Sequence, residues 1–147
     1  MIQRIQTVYL LISAILVGLL FLFPFAEIAK DGAVYLFNFK GIMLDGTIKE
    51  NGFAISGLIG IILVMHGFAI FSFKTRIRQI RIIVFSVLLM LGLFGMFLFF
   101  TYYTFSDVRI SFKISMAFPL VAIILDYLAI RAIGKDEALI RSIDRIR

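Results

Sequence analysis

Residues 82–103 read IIVFSVLLMLGLFGMFLFFTYY, 22 positions without a charge. Wound as an α-helix at about 1.5 Å per residue, the stretch is about 33 Å long. The hydrocarbon core of a bilayer is about 30 Å thick. A run of that length and apolar purity reads as a membrane-spanning helix rather than the core helix of a soluble domain.

Outward from this stretch, residues 7–25, 54–73 and 114–130 read the same way. The last is the shortest and contains Pro119 and Asp126. It is bracketed by Lys113 and Arg131, whose stems can lie along apolar surface while the charge reaches water. The first run is longer than a signal-peptide core of about 7–15 residues and ends with Pro24, where a small residue would be wanted, so it reads as a retained anchor. Composition agrees. The 147 residues are 62% hydrophobic and 16% charged, against about 45–50% and about 25% in soluble domains. The expectation is an all-α membrane protein: a four-helix transmembrane bundle, one integral membrane domain over residues 1–147, with the lipid bilayer as its first partner.

In such a chain the net charge of +6 orients loops and does not point to nucleic acid. Arg4, then Lys74, Arg76, Arg78 and Arg81, then Arg131, Lys135, Arg141, Arg145 and Arg147 fall on one side. Lys30, Lys40, Lys49, Arg109 and Lys113 fall on the other. This asymmetry predicts cytoplasmic termini, with loops 27–51 and 104–113 outside. The long outer loop carries the β-formers Val34-Tyr35-Leu36-Phe37-Asn38-Phe39-Lys40, and Asp45-Gly46 is a hairpin turn between Ile42-Met43-Leu44 and Thr47-Ile48-Lys49. Residues 108–113 alternate with period two. Together they predict a small extracytoplasmic antiparallel sheet. The tail, residues 131–147, places Ile133, Ile140, Ile143 and Ile146 at helical spacing and pairs Glu137 with Arg141. It predicts an amphipathic cytoplasmic helix able to lie on the inner leaflet or meet a partner.

Zero cysteines exclude disulfides and thiolate chemistry, and the single histidine, His66, excludes a multi-histidine metal site within one chain. No phosphate loop, nucleophile elbow, zinc-protease motif or paired-carboxylate constellation is present. The expectation is a non-enzyme without metal or cofactor. Small residues suggest packed helix faces: Ser56, Gly60 and Gly67; Ala14 and Gly18; and Ser115, Pro119, Ala122, Asp126 and Ala129 in steps of four and three. Asp126 is the one acid inside a span, turned by that stepping toward the bundle. Its expected role is a structural ion pair with Arg4 near the inner boundary, with a binding role as the alternative. His66 is expected to make an interhelical hydrogen bond, and a proton or haem role alongside Asp126 is the alternative. Phenylalanines gather at the outer ends, among them Phe21, Phe25, Phe94, Phe97 and Phe100, as packing or as the wall of a lipid or quinone pocket.

The opening Met1-Ile2-Gln3-Arg4-Ile5-Gln6-Thr7-Val8-Tyr9-Leu10-Leu11 and the ending Lys135-Asp136-Glu137-Ala138-Leu139-Ile140-Arg141-Ser142-Ile143-Asp144-Arg145-Ile146-Arg147 resemble an uncharacterised family of Bacteroidota membrane proteins, domain-of-unknown-function family 4293. The resemblance covers the whole chain and implies an inner-membrane protein of a Gram-negative bacterium. No activity or catalytic residue comes with it. The expected function is that of an accessory or scaffold subunit of an inner-membrane assembly, meeting a partner through helix faces or the tail. The alternative is a small carrier or redox component handling protons, quinone or haem through His66 and Asp126.

Overall fold

The computed structural model describes residues 3–30, 32–103 and 108–144, and within these not the side chains of residues 3, 4, 103, 141, 143 and 144. Four helices carry most of it: α1 (Gln3–Leu19), α2 (Phe53–Phe71), α3 (Arg76–Tyr103) and α4 (Phe118–Asp144), the last preceded by a 3-10 turn at Ile114–Ala117. Between α1 and α2 run the strands β1 (Ala26–Lys30), β2 (Ala33–Asn38), β3 (Gly41–Leu44) and β4 (Thr47–Asn51), and between α3 and α4 runs β5 (Arg109–Phe112). α1 packs on α2 and α4, and α3 packs on the same two helices, so sequence neighbours are spatial neighbours and the fourth helix closes back on the first.

The reason is a repeated seam. Buried positions fall at Gln6, Leu10, Ser13, Val17 and Leu20 along the first helix and its exit. On α2 they are Ile55, Ile59, Ile62, His66 and Ala69. On α3 they are Gln79, Ile83, Ser86, Met90, Leu93 and Phe97, and toward the end of α4 they are Ala122, Asp126, Ala129, Ile133 and Asp136. Every series steps by four and three, the 3.5-residue repeat that keeps one narrow stripe facing neighbouring helices. The other faces are apolar and exposed, as at Ile15, Val64, Phe68, Leu88 and Ile124. Three helical stretches, Phe53–Phe71, Arg76–Tyr102 and Ile114–Ile140, are long and apolar enough to cross a membrane.

Several boundaries differ from the sequence expectation. The first apolar run breaks after Leu19 into a turn, and its continuous apolar helix, Ile5–Leu19, is shorter than the other three. Pro24 lacks the N–H a helix would need there, and Phe25 donates its N–H to the Phe37 carbonyl at 2.7 Å instead. The basic stretch 74–81, expected as a loop, is mostly the beginning of α3. The tail is not a separate helix: α4 continues without a break from Phe118 to Asp144, and its buried stripe persists to Asp136.

The sheet is antiparallel throughout, in the order β4-β3-β2-β1-β5. Asp45 (φ 46°) and Gly46 (φ 81°) form the β3–β4 turn, both with the positive φ that a type I′ hairpin requires. Gly41 is fixed by a closer constraint. Its φ is 115°, and a Cβ there would stand 1.9 Å from the Glu50 carbonyl oxygen. One face of the sheet closes the helices. Phe25 stacks on Phe97 of α3 with ring centroids 4.3 Å apart, and Phe37 meets Phe25 edge-on at 5.2 Å. Ile28, Ile42 and Ala26 complete that layer with no exposed surface. The outer phenylalanines therefore join sheet to helices. Ser115 Oγ donates to the Pro24 carbonyl, and the Lys113 N–H donates to the Phe25 carbonyl at 2.9 Å, tying the start of α4 to the exit of α1.

Candidate functional site

The four seams place one polar side chain each at a common level: Ser13 from α1, His66 from α2, Ser86 from α3 and Asp126 from α4. Their relative exposures are 0, 1, 1 and 0%, so no solvent touches the cluster. His66 is its centre. Its Nδ1 lies 2.9 Å from the Ile62 carbonyl oxygen and 3.3 Å from Ser86 Oγ. A carbonyl can only accept, so Nδ1 carries a hydrogen. Its Nε2 lies 2.9 Å from Ser13 Oγ and 3.2 Å from Asp126 Oδ1. Asp126 Oδ2 is also 3.2 Å from Nε2, yet has no hydrogen bond of its own. The two facts agree if a single hydrogen between ring and carboxyl is directed at Oδ1. Ser13 Oγ can turn its own hydrogen to the Ala122 carbonyl at 3.3 Å.

This arrangement can hold one proton between an imidazole and a carboxyl group, and with that proton the pair is neutral overall whichever partner carries it. A nucleophilic relay is built differently: there the acid holds Nδ1 and the serine meets Nε2. Here acid and serine share Nε2 while a backbone carbonyl holds Nδ1. Among the described residues no three His, Asp or Glu side chains converge to hold a metal. The clefts at 73–81, 84–130 and 94–120 are lined by none of the four cluster residues.

Sequence reasoning singled out His66 and Asp126 and placed them at similar depth, and the structure brings them together. It placed Asp126 about one helical turn from the inner end. The helix itself runs on past that end to Asp144, so Asp126 lies well inside α4. The Arg4 side chain, its expected ion-pair partner, lies outside the described residues. Arg4 precedes Ser13 by nine positions, about 14 Å along the helix axis. Ser13 and Ser86 were missed, although each occupies its helix's four–three stripe. So was a second polar layer, where Gln6 Nε2 donates to Asp136 Oδ2 at 2.6 Å and Gln79 Nε2 donates to the Ala69 carbonyl at 2.9 Å. Arg76 anchors that layer, donating to the Asp136 carbonyl at 3.3 Å and standing 3.8 Å from Glu137. The small-residue face read on α2 is not a contact within this fold. A Cβ at Gly60 or Gly67 would meet nothing within 4 Å, whereas one at Gly18 would touch Leu63 of α2 at 4.0 Å.

The model of one family, described as a domain of unknown function (DUF4293), matches residues 2–146. The chain belongs to the DUF4293 family. Neither a curated protein nor a solved structure matches it. For this DUF4293 chain a reading of function therefore rests on the structure itself.

Proposed function

We propose that this DUF4293 protein is a four-span integral protein of a bacterial inner membrane, with cytoplasmic termini. In this reading it is a non-enzymatic accessory or scaffold subunit of a larger assembly. One observation carries the subunit role: on the face of the sheet turned away from the helices, an apolar row crosses the three strands β2, β3 and β4, before giving way to Glu27 and Ser111 on β1 and β5. Leu36 pairs with Met43 and Met43 with Ile48 across three strands, and Leu36, Ile48 and nearby Val34 are exposed. Lipid has no access to an extramembrane face, and an apolar row there fits a protein partner. β4, at one edge of the sheet and exposed along its length, adds unpaired backbone groups. The open faces at Gly60 and Gly67 of α2 are the kind of surface on which membrane helices associate. In this reading the sealed cluster clamps the four helices. The test is purification in mild detergent with mass spectrometry of co-purifying proteins. The wild type should carry stoichiometric partners that a Leu36→Lys, Ile48→Lys variant loses. Repeated recovery of the wild type alone at full yield would contradict the proposal.

A second reading has one observation in its favour. Asp126 Oδ2 is buried without a hydrogen bond, and the proton between Asp126 and His66 is the sort of group found on proton paths. In reconstituted vesicles carrying a pH-sensitive dye, a carrier of this kind would move protons, and Asp126→Asn would stop it. Wild-type vesicles as tight as empty ones would end this reading.

A further inference from the structure

At the end of the helices opposite the sheet, the turn between α2 and α3 and the last turns of α4 enclose an open cleft of about 820 Å3. Its lining includes Lys74, Arg76, Arg78 and Arg81. We propose that this cleft binds the phosphate of an anionic phospholipid, with the lipid's glycerol and acyl portion against Phe73 and Ile77. The proposal rests on the membrane-spanning reading and goes beyond it.

Charge is the first argument. Four cations lie within eight residues of chain, and Glu137 is the only acid in the lining. Glu137 stands against Arg76, which is also held by the Asp136 carbonyl. Among the described residues Lys74, Arg78 and Arg81 have no acidic partner. Like charges three or four positions apart on a helix repel, as Arg78 and Arg81 do, so an external anion relieves a strain the fold leaves in place. The second argument is the mixed lining. Phe73 and Ile77 are about half exposed beside the cations, and α2 ends in an apolar face that includes Phe71. A free phosphate would leave that surface wet, and an acidic peptide would not need it at headgroup depth. A phospholipid satisfies both parts. Size agrees, since small-molecule sites run about 300–1,000 Å3. Arg76 gives the cleft a fixed wall, because its guanidinium is pinned to α4.

The test uses the full chain purified in an uncharged detergent, with thermal unfolding followed by circular dichroism. Phosphatidylglycerol, phosphatidylcholine with the same acyl chains, and inorganic phosphate are titrated separately. Phosphatidylglycerol should raise the melting temperature in a saturable way, and the other two should not. A Lys74→Gln, Arg78→Gln, Arg81→Gln variant should bind phosphatidylglycerol about a hundredfold more weakly, about fivefold per cation. A Lys49→Gln, Arg109→Gln variant on the sheet should bind like the wild type. If the triple variant does not fold, Arg81→Gln alone should show the fivefold loss. Equal shifts with phosphatidylcholine, or an undiminished shift in the variants, would overturn the proposal. An equal shift with inorganic phosphate would make the site one for the free anion, and no shift with any probe would leave the cations to an acidic protein; both overturn it. Retention of wild type and variant in carbonate-washed membranes tests the spanning reading separately.

Discussion

Replacing His66 by leucine keeps a side chain of similar size on the α2 seam but removes the hydrogen-bonding partner that Asp126 has among the described residues. The carboxyl group has no exposed surface. A buried ion stripped of its partner costs about 3–5 kcal/mol, whereas losing an ordinary interhelical hydrogen bond in a membrane costs about 0.6 and at most about 1.7 kcal/mol. Asp126→Ala is the milder change. His66 keeps Ser13 at Nε2 and the Ile62 carbonyl at Nδ1, so the neutral ring stays satisfied and the cost is about 1–2 kcal/mol. The double variant leaves no orphaned acid and should be more stable than His66→Leu alone by about 2 kcal/mol, a coupling that independent sites would not show. With about 2–4 °C per kcal/mol for a chain of this size, His66→Leu should lower the melting temperature by about 6–20 °C, and adding Asp126→Ala should recover part of that. The chain contains no tryptophan, so helix content by circular dichroism in detergent is the readout. If the double variant falls by the sum of the two singles, or if Asp126→Ala is the more damaging single change, the clamp as described is wrong.

Other consequences are local. Gly41→Ala combines a φ of 115° with a Cβ 1.9 Å from a carbonyl oxygen; it should cost more than about 3 kcal/mol and speed hydrogen exchange in β3 and β4 while the helices stay protected. Phe25→Ala empties a site shared by β2 and α3, and should cost about 3–5 kcal/mol in the same melting assay. Glu27→Gln should hardly register: its 2.8 Å pair with Lys113 is more than a third exposed on both sides, worth less than about 1 kcal/mol, and the difference from wild type should shrink further in high salt.

What the sequence displayed and what it concealed follow from how each signal arises. The Asp45-Gly46 turn was legible because few other dipeptides tolerate two positive φ values, and the strands beside it followed. β1 was hidden because Ala26-Glu27-Ile28-Ala29-Lys30, placed at the start of the outer loop, is short and has one β-branched residue, although Asp31-Gly32 carries the same turn signal; Gly32 has φ 78°, and Asp31 lies outside the described residues. The α4 stripe of Ser115, Pro119, Ala122, Asp126 and Ala129 was legible from its small and polar residues, and all five are buried. On α2 the same logic pointed to Ser56, Gly60 and Gly67, but the buried face is Ile55, Ile59, Ile62, His66 and Ala69. When inside and outside are both apolar, hydrophobicity cannot say which face is which. Ser13 and Ser86 were concealed for a related reason. A serine in an apolar helix can satisfy itself on its own backbone, and only the fold shows that both also meet His66 and that Ser13 reaches the Ala122 carbonyl.

The central claim, a chain threaded through the membrane with its sheet outside and the end of α4 inside, can be tested directly because the chain has no cysteine. Single cysteines would be placed at two exposed positions, Lys49→Cys on β4 and Ser142→Cys near the end of α4. Intact spheroplasts would then be treated with a membrane-impermeant maleimide. The account predicts labelling of Lys49→Cys in intact spheroplasts and of Ser142→Cys only after permeabilisation. Labelling of both, or of Ser142→Cys alone, in intact spheroplasts would contradict it.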